Sequence, residues 1–148
     1  MIRALFTAVL LVSQASGADT VYWSPTTLTT ANTSKTGTSG AVAQINLGSG
    51  TNYVDRLVFR AIGSNTATVG RVFLNNGKDP TVAANNVLFA EITLDSTTLS
   101  EVAALADEEL ALNIWLSEGY RILVTNGTAV AAGWRVSAVC KTPTEVLE

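Results

Sequence analysis

The sequence predicts an all-β protein: an antiparallel β-sandwich of jelly-roll type with about eight strands, carrying an extended N-terminal arm. Three observations point there. Residues 53–139 are a succession of short segments in which apolar and polar side chains alternate, the period-two signature of strands with one buried face. Clusters of Gly, Asn and Ser cut these segments apart and supply turns. The connections leave no room for the crossover helices, roughly ten residues or more, that a parallel sheet needs.

The elements follow in order. Residues 24–52 are rich in Ser, Thr, Gly and Asn and read as extended, weakly packed chain, with an alternating stretch at 41–47 and a turn cluster at 48–52. Residues 54–62 place Leu57, Phe59 and Ala61 on one face and Val58, Arg60 and Ile62 on the other. After a turn at 63–66, residues 67–74 oppose Thr68, Gly70, Val72 and Leu74 to Val69, Arg71 and Phe73. A long loop opens at Asn75-Asn76-Gly77 and ends at Asn85-Asn86, and 87–94 form the next strand. Residues 101–107 suit a short helical turn or an extended piece. Leu110, Leu112, Ile114 and Leu116 alternate with Ala111, Asn113 and Trp115. Residues 120–125 follow a turn at 117–119, Asn126-Gly127 signals a hairpin, and 129–140 close the body with Trp134, Val136 and Ala138 on one face. The organisation is therefore an arm at 1–40, a sandwich domain at 41–140 and a polar tail at 141–148.

Composition narrows the chemistry. The 148-residue chain is 47% apolar, enough for a real core, and its net charge is −3. The nine basic residues are scattered, with no stripe to meet a phosphate backbone, so no nucleic-acid partner is expected. There is no histidine, which excludes a Ser-His-Asp arrangement, and one cysteine, which excludes an intrachain disulfide and makes a zinc site improbable. Cys140 reads as a small buried hydrophobe. Glu91, Asp95 and the run Asp107-Glu108-Glu109 read as solvated strand edges rather than a facing pair of catalytic carboxylates. Asp79 with Asn75, Asn76, Asn85 and Asn86 offers oxygen donors suited to calcium but lacks the loop spacing, and turn formation explains these residues. No catalytic residue, cofactor or metal ligand is expected. Asn32-Thr33-Ser34 and Asn126-Gly127-Thr128 match glycosylation triplets. The apolar run 4–12 followed by small residues up to Ala18 matches a secretory signal peptide and is too short to span a membrane, so no membrane partner is expected.

Binding groups are the remaining candidates. Trp134 is in phase with Val136 and belongs to the core. Trp115 is out of phase with the Leu110–Leu116 face, so it lies on the second face of its sheet and can meet another subunit. Tyr22-Trp23 can anchor the arm. Tyr22, Trp23, Leu28 and Trp115 are the candidate partner-contact residues.

Five blocks of the sequence carry a resemblance: residues 28–38 (Leu28-Thr29-Thr30-Ala31-Asn32-Thr33-Ser34-Lys35-Thr36-Gly37-Thr38), 54–63 (Val54-Asp55-Arg56-Leu57-Val58-Phe59-Arg60-Ala61-Ile62-Gly63), 71–77, 118–123 and 132–136. Over about residues 28–139 the chain is similar to a family of small tailed-phage and prophage virion proteins. The resemblance implies a non-enzymatic β-sandwich accessory, foremost a capsid decoration or cement protein on the virion surface, assembled in the host cytoplasm. Its implied partners are the major capsid protein and copies of itself, as a trimer, with the arm reaching a neighbouring subunit. It also implies that residues 1–18 are retained as part of that arm. The alternatives are a tail or fibre-base component and, if residues 1–18 are cleaved, a secreted adhesin or carbohydrate-binding module.

Overall fold

Alternating side chains and short turns produce eight strands among the described residues, 19–37 and 42–141 of a computed structural model. They are β1 (Asp19–Trp23), β2 (Ala43–Asn46), β3 (Asn52–Ala61), β4 (Thr68–Asn75), β5 (Asn86–Leu94), β6 (Asp107–Leu116), β7 (Arg121–Asn126) and β8 (Trp134–Lys141), with one 3-10 turn at Ala83–Asn85. Of the expected arm, domain and tail, residues 1–18, 38–41 and 142–148 lie outside the described residues, and Lys141, expected in the tail, ends β8. Two four-stranded antiparallel sheets form, ordered β1-β8-β3-β6 and β2-β7-β4-β5. Successive strands switch sheets except at the β4–β5 hairpin. This order is that of the jelly roll, as the alternation predicts.

The core lies between the sheets. Val54, Leu57, Phe59, Trp134, Val136 and Ala138 point inward from the first sheet; Ile45, Val72, Ile122 and Val124 meet them from the second. Burying each such side chain contributes about 1.5–3 kcal/mol. On β3 the pattern breaks once: Val54 and Leu57 are both buried, and the register against β8 slips between Val54 and Arg56. This bulge turns Asp55 and Arg56 together onto the outer face.

The stretch expected as arm and weakly packed chain is part of the sandwich. Residues 19–23 are an edge strand on β8. Leu28 is fully buried and exchanges backbone hydrogen bonds with Trp134 (2.9 and 3.2 Å). The chain then crosses onto the outer face of the second sheet. There the Asn32 carbonyl accepts from Arg71 Nη1 (2.9 Å), Lys35 pairs with Glu91, and the Thr36 carbonyl accepts from Asn86 Nδ2 (3.1 Å). Gly37, at φ 66°, lies so close to the Phe73 ring that a Cβ would stand 3.0 Å from it. This strap explains why Phe73 and Leu123, on the outer side of their sheet, are nonetheless fully buried. Thr, Ser and Gly are used here because a flat strap needs small side chains and backbone hydrogen bonds, not because the segment is loose. Residues 19–37 thus pack on their own sandwich.

One end of the sandwich is closed by a buried amide. Asn65 Nδ2 donates to the carbonyls of Gly63 (3.2 Å) and Gly133 (3.1 Å) and to Thr97 Oγ1 (3.3 Å), while its Oδ1 accepts from the backbone N–H of Ala132 (3.0 Å) and Gly133 (2.7 Å). Asn65 and Thr97 also exchange backbone bonds at 3.0 and 2.9 Å. Three loops, β3–β4, β5–β6 and β7–β8, are locked together. These bonds also pull residues 129–133 out of the ladder, so β8 begins at Trp134 and not near 129 as the alternation suggested. Residues 101–103 are bends and 104–106 have no regular structure, so no helical turn forms here.

Asn65→Ala removes both halves of this clamp and leaves buried backbone N–H groups unpaired; a loss of about 3 kcal/mol in denaturant unfolding is expected. Gly133 sits at φ 97°, and a Cβ there would stand 2.6 Å from Thr27 Cγ2 and 2.9 Å from the Leu28 carbonyl. Gly133→Ala should therefore cost more than about 2 kcal/mol by the same measurement, displacing the 27–29 segment from β8.

Candidate functional site

Val87 and Phe89 on the edge strand β5 of the second sheet are exposed, and the outer face of the β1-β8-β3-β6 sheet carries the two exposed tryptophans. In register across it run Asp19, Lys141, Tyr53 and Trp115, then Val21, Val139, Arg56 and Ala111, then Trp23, Ser137, Val58 and Glu109, then Arg135, Arg60 and Asp107. The first row lies at the end opposite Asn65, the last at the Asn65 end.

Of the four residues singled out in the sequence, two are on this face. Trp23 is 71% exposed and Trp115 57% exposed. Tyr22 is half-buried; its ring borders Gly48 and packs on the core, so it fixes β1 from beneath. Leu28 is a core residue with no surface to offer, because its bridge to Trp134 turns it inward. The structure does not bring the two tryptophans together: they stand on opposite edge strands, near opposite ends.

Trp23 borders a shallow groove of about 500 Å³, lined by Val21, Val58 and Val139 with Arg60 and Arg135 at one end. Arg60 is held by Asp107 through two hydrogen bonds, 2.9 Å from Nε and 2.6 Å from Nη2, which lowers the Asp107 carboxyl from its ordinary value. Arg135, its register partner, has no protein counter-charge among the described residues. A second hollow shares Arg60 and is lined by Leu99, Ala103, Ala104 and Leu105 of the β5–β6 loop. Val102, at the tip of that loop, is 96% exposed. Sequence reasoning missed this loop because its apolar residues suited a helical turn equally well; their presence between two polar stretches was the available signal.

At the opposite end, Tyr53 and Trp115 meet edge to face, ring centroids 5.1 Å apart at 61°. The Tyr53 hydroxyl donates to Asn113 Oδ1 at 3.1 Å. Asn113 has φ 52°, the one non-glycine residue with positive φ among those described. Its backbone strain, about 1–2 kcal/mol for an ordinary residue, arises where β6 carries one residue more than β3 between the pairs Arg56–Ala111 and Val54–Ile114. Tyr53 and Asn113 carried no signal in the sequence, where both read as ordinary alternating positions.

The remaining candidates resolve into structural roles. Glu91 binds Lys35 and Arg71, and both bonds hold its carboxyl below the usual range. Asp79 accepts from the Thr81 backbone and hydroxyl, and its own carbonyl accepts from Asn85 Nδ2; Asn75 Nδ2 donates to the Asn85 carbonyl and Asn86 Oδ1. These oxygens and amides are engaged in closing their own loop. Among the described residues no three His, Cys, Asp or Glu side chains gather as a metal would require. Cys140 is buried, and burial pushes its thiol up to about 11, so it is unreactive at neutral pH. Asn32 and Asn126, the two glycosylation matches, are both buried, Asn126 donating to the Leu28 carbonyl at 2.7 Å.

Asp55, turned outward by the β3 bulge, accepts from Lys141 Nζ (2.9 Å) and Arg56 Nη1 (2.7 Å), and Arg56 Nε reaches Glu109 (3.4 Å). The Lys141 bond first and the Arg56 bond second hold the Asp55 carboxyl below its ordinary value. Its folded value being the lower, ionised Asp55 stabilises the fold above about pH 4, and this contribution fades as pH falls from there through the folded value. Asp55→Asn should be less stable than the parent at pH 7 and show a shallower loss between about pH 4 and pH 2, read from urea midpoints. Equal slopes for the two proteins would remove Asp55 from the acid response.

Comparison with protein-family models, curated proteins and solved structures finds no match to this chain.

Proposed function

We propose that this protein is a non-enzymatic structural module that decorates a larger shell, and that it docks through the Asn65 end of the sandwich. The carrying observation is the gathering there of exposed large apolar side chains, Trp23, Ile62, Leu99 and Val102, around the two hollows that share Arg60. Exposed apolar groups grouped in this way mark interaction surfaces. The arginine pair Arg60 and Arg135 suits a partner presenting acidic groups around an apolar ridge. The sequence resemblance points to a tailed-phage capsid as the shell, with the major capsid protein and further copies of this chain, arranged as a trimer, as partners. Many copies, each held weakly, would stiffen such a shell through avidity. A rigid build favours docking of this kind, because the loops at that end are tied by Asn65 and do not have to be ordered on binding.

The test is co-sedimentation of purified protein with phage heads lacking it. Binding at many copies per head is expected, with affinity reduced at least tenfold by Val102→Glu or Trp23→Ala and weakened by Arg135→Glu at low salt more than at high salt. Absence of the protein from purified native heads would sink the proposal, and a few copies per particle would instead assign it to a tail part.

A further inference from the structure

We propose that Tyr53, Asn113 and Trp115, at the end of the sandwich opposite the docking loops, form a binding platform for a neutral pyranose ring of a polysaccharide. A pyranose presents a face of C–H groups and a rim of hydroxyls. It is recognised by a flat aromatic surface, whose negative π-face attracts those C–H groups, with a few polar groups set at its edge. Trp115, 57% exposed, supplies the surface from β6, the edge strand of its sheet among the described residues. The Tyr53 ring, 5.1 Å away at 61°, restricts the indole, so stacking a sugar costs little further side-chain freedom.

The polar edge is equally prepared. Asn113 Oδ1 is held by the Tyr53 hydroxyl, which leaves the Asn113 Nδ2 hydrogens without a protein partner among the described residues and directed by that bond. The Tyr53 oxygen keeps a lone pair to accept from a sugar hydroxyl. On the other side of Tyr53, the half-exposed Lys141 ammonium, bound to Asp55, extends the polar rim. The left-handed backbone of Asn113 lies where β6 carries its extra residue, a bulge of the kind that re-aims a side chain. Trp23 offers the contrast: it stands beside Val21, Val58 and Val139, an apolar setting suited to a protein partner and not to a sugar.

The inference goes beyond docking and does not depend on it, because the platform is measured on the isolated protein. Fluorescently labelled full-length protein is applied to an array of bacterial polysaccharides and oligosaccharide fragments. Saturable binding to one or more pyranose-containing glycans is expected. Trp115→Ala should reduce affinity at least tenfold. Asn113→Gly should weaken it by about tenfold while the melting temperature is held or raised, since glycine adopts this backbone without strain. No saturable signal from protein with the parent melting temperature, or a signal unchanged in both variants, would overturn the assignment.

Discussion

The sandwich depends on buried asparagine amides that substitute for regular hydrogen bonding where its strands end. A jelly roll must carry the chain between sheets at almost every step, and each crossing frees backbone groups from the ladders. Asn65 answers this for three loops at once, and Asn126 binds the Leu28 carbonyl where the strap leaves β1. A single amide can donate and accept together, which a hydroxyl or carboxylate does less completely. In the low-dielectric interior such bonds hold geometry tightly, and their loss leaves polar groups stranded.

This closure sets the distribution of the surface. The strap covers part of the second sheet's outer face, and Phe73 and Leu123 are withdrawn from solvent while Val87 and Phe89 on β5 stay exposed. The first sheet keeps its outer face open. Its bulge at Asp55 turns two charged residues outward and builds the Lys141–Asp55–Arg56–Glu109 chain across three strands. On either side of this charged middle lie two surfaces of different character: an apolar one around Trp23 and the β5–β6 loop, and an aromatic and polar one around Trp115. The proposed docking and sugar-binding roles follow from that division, one assigned to each end.

The fold was largely legible in the sequence. Alternation in 57–62, 67–74 and 110–116 places Leu57, Phe59, Val72, Leu74 and Leu112 inward as the structure does, because the two faces of a half-buried strand differ so strongly in hydration. Trp115, out of phase with its neighbours, is exposed for the same reason. The strap was not legible. Its Thr, Ser and Gly have the composition of loose chain, and only its position against Arg71, Phe73 and Asn86 makes it part of the body. Leu28, expected at a partner surface, is buried because a long-range bridge to Trp134 decides its direction.

By itself the sequence determined the class of fold, the faces of its strands and the lack of a histidine-dependent site, since these rest on local periodicity and on residue inventory. Only the tertiary structure decided which strands are neighbours, that Asn65 joins three loops, that Asn113 takes a left-handed backbone, and which exposed side chains share an end. Those features depend on contacts between residues tens of positions apart, set by strand register and by a residue inserted into one strand and not its partner. Local sequence carries no record of register, so the surfaces on which any function must rest appear only when the sheets are assembled.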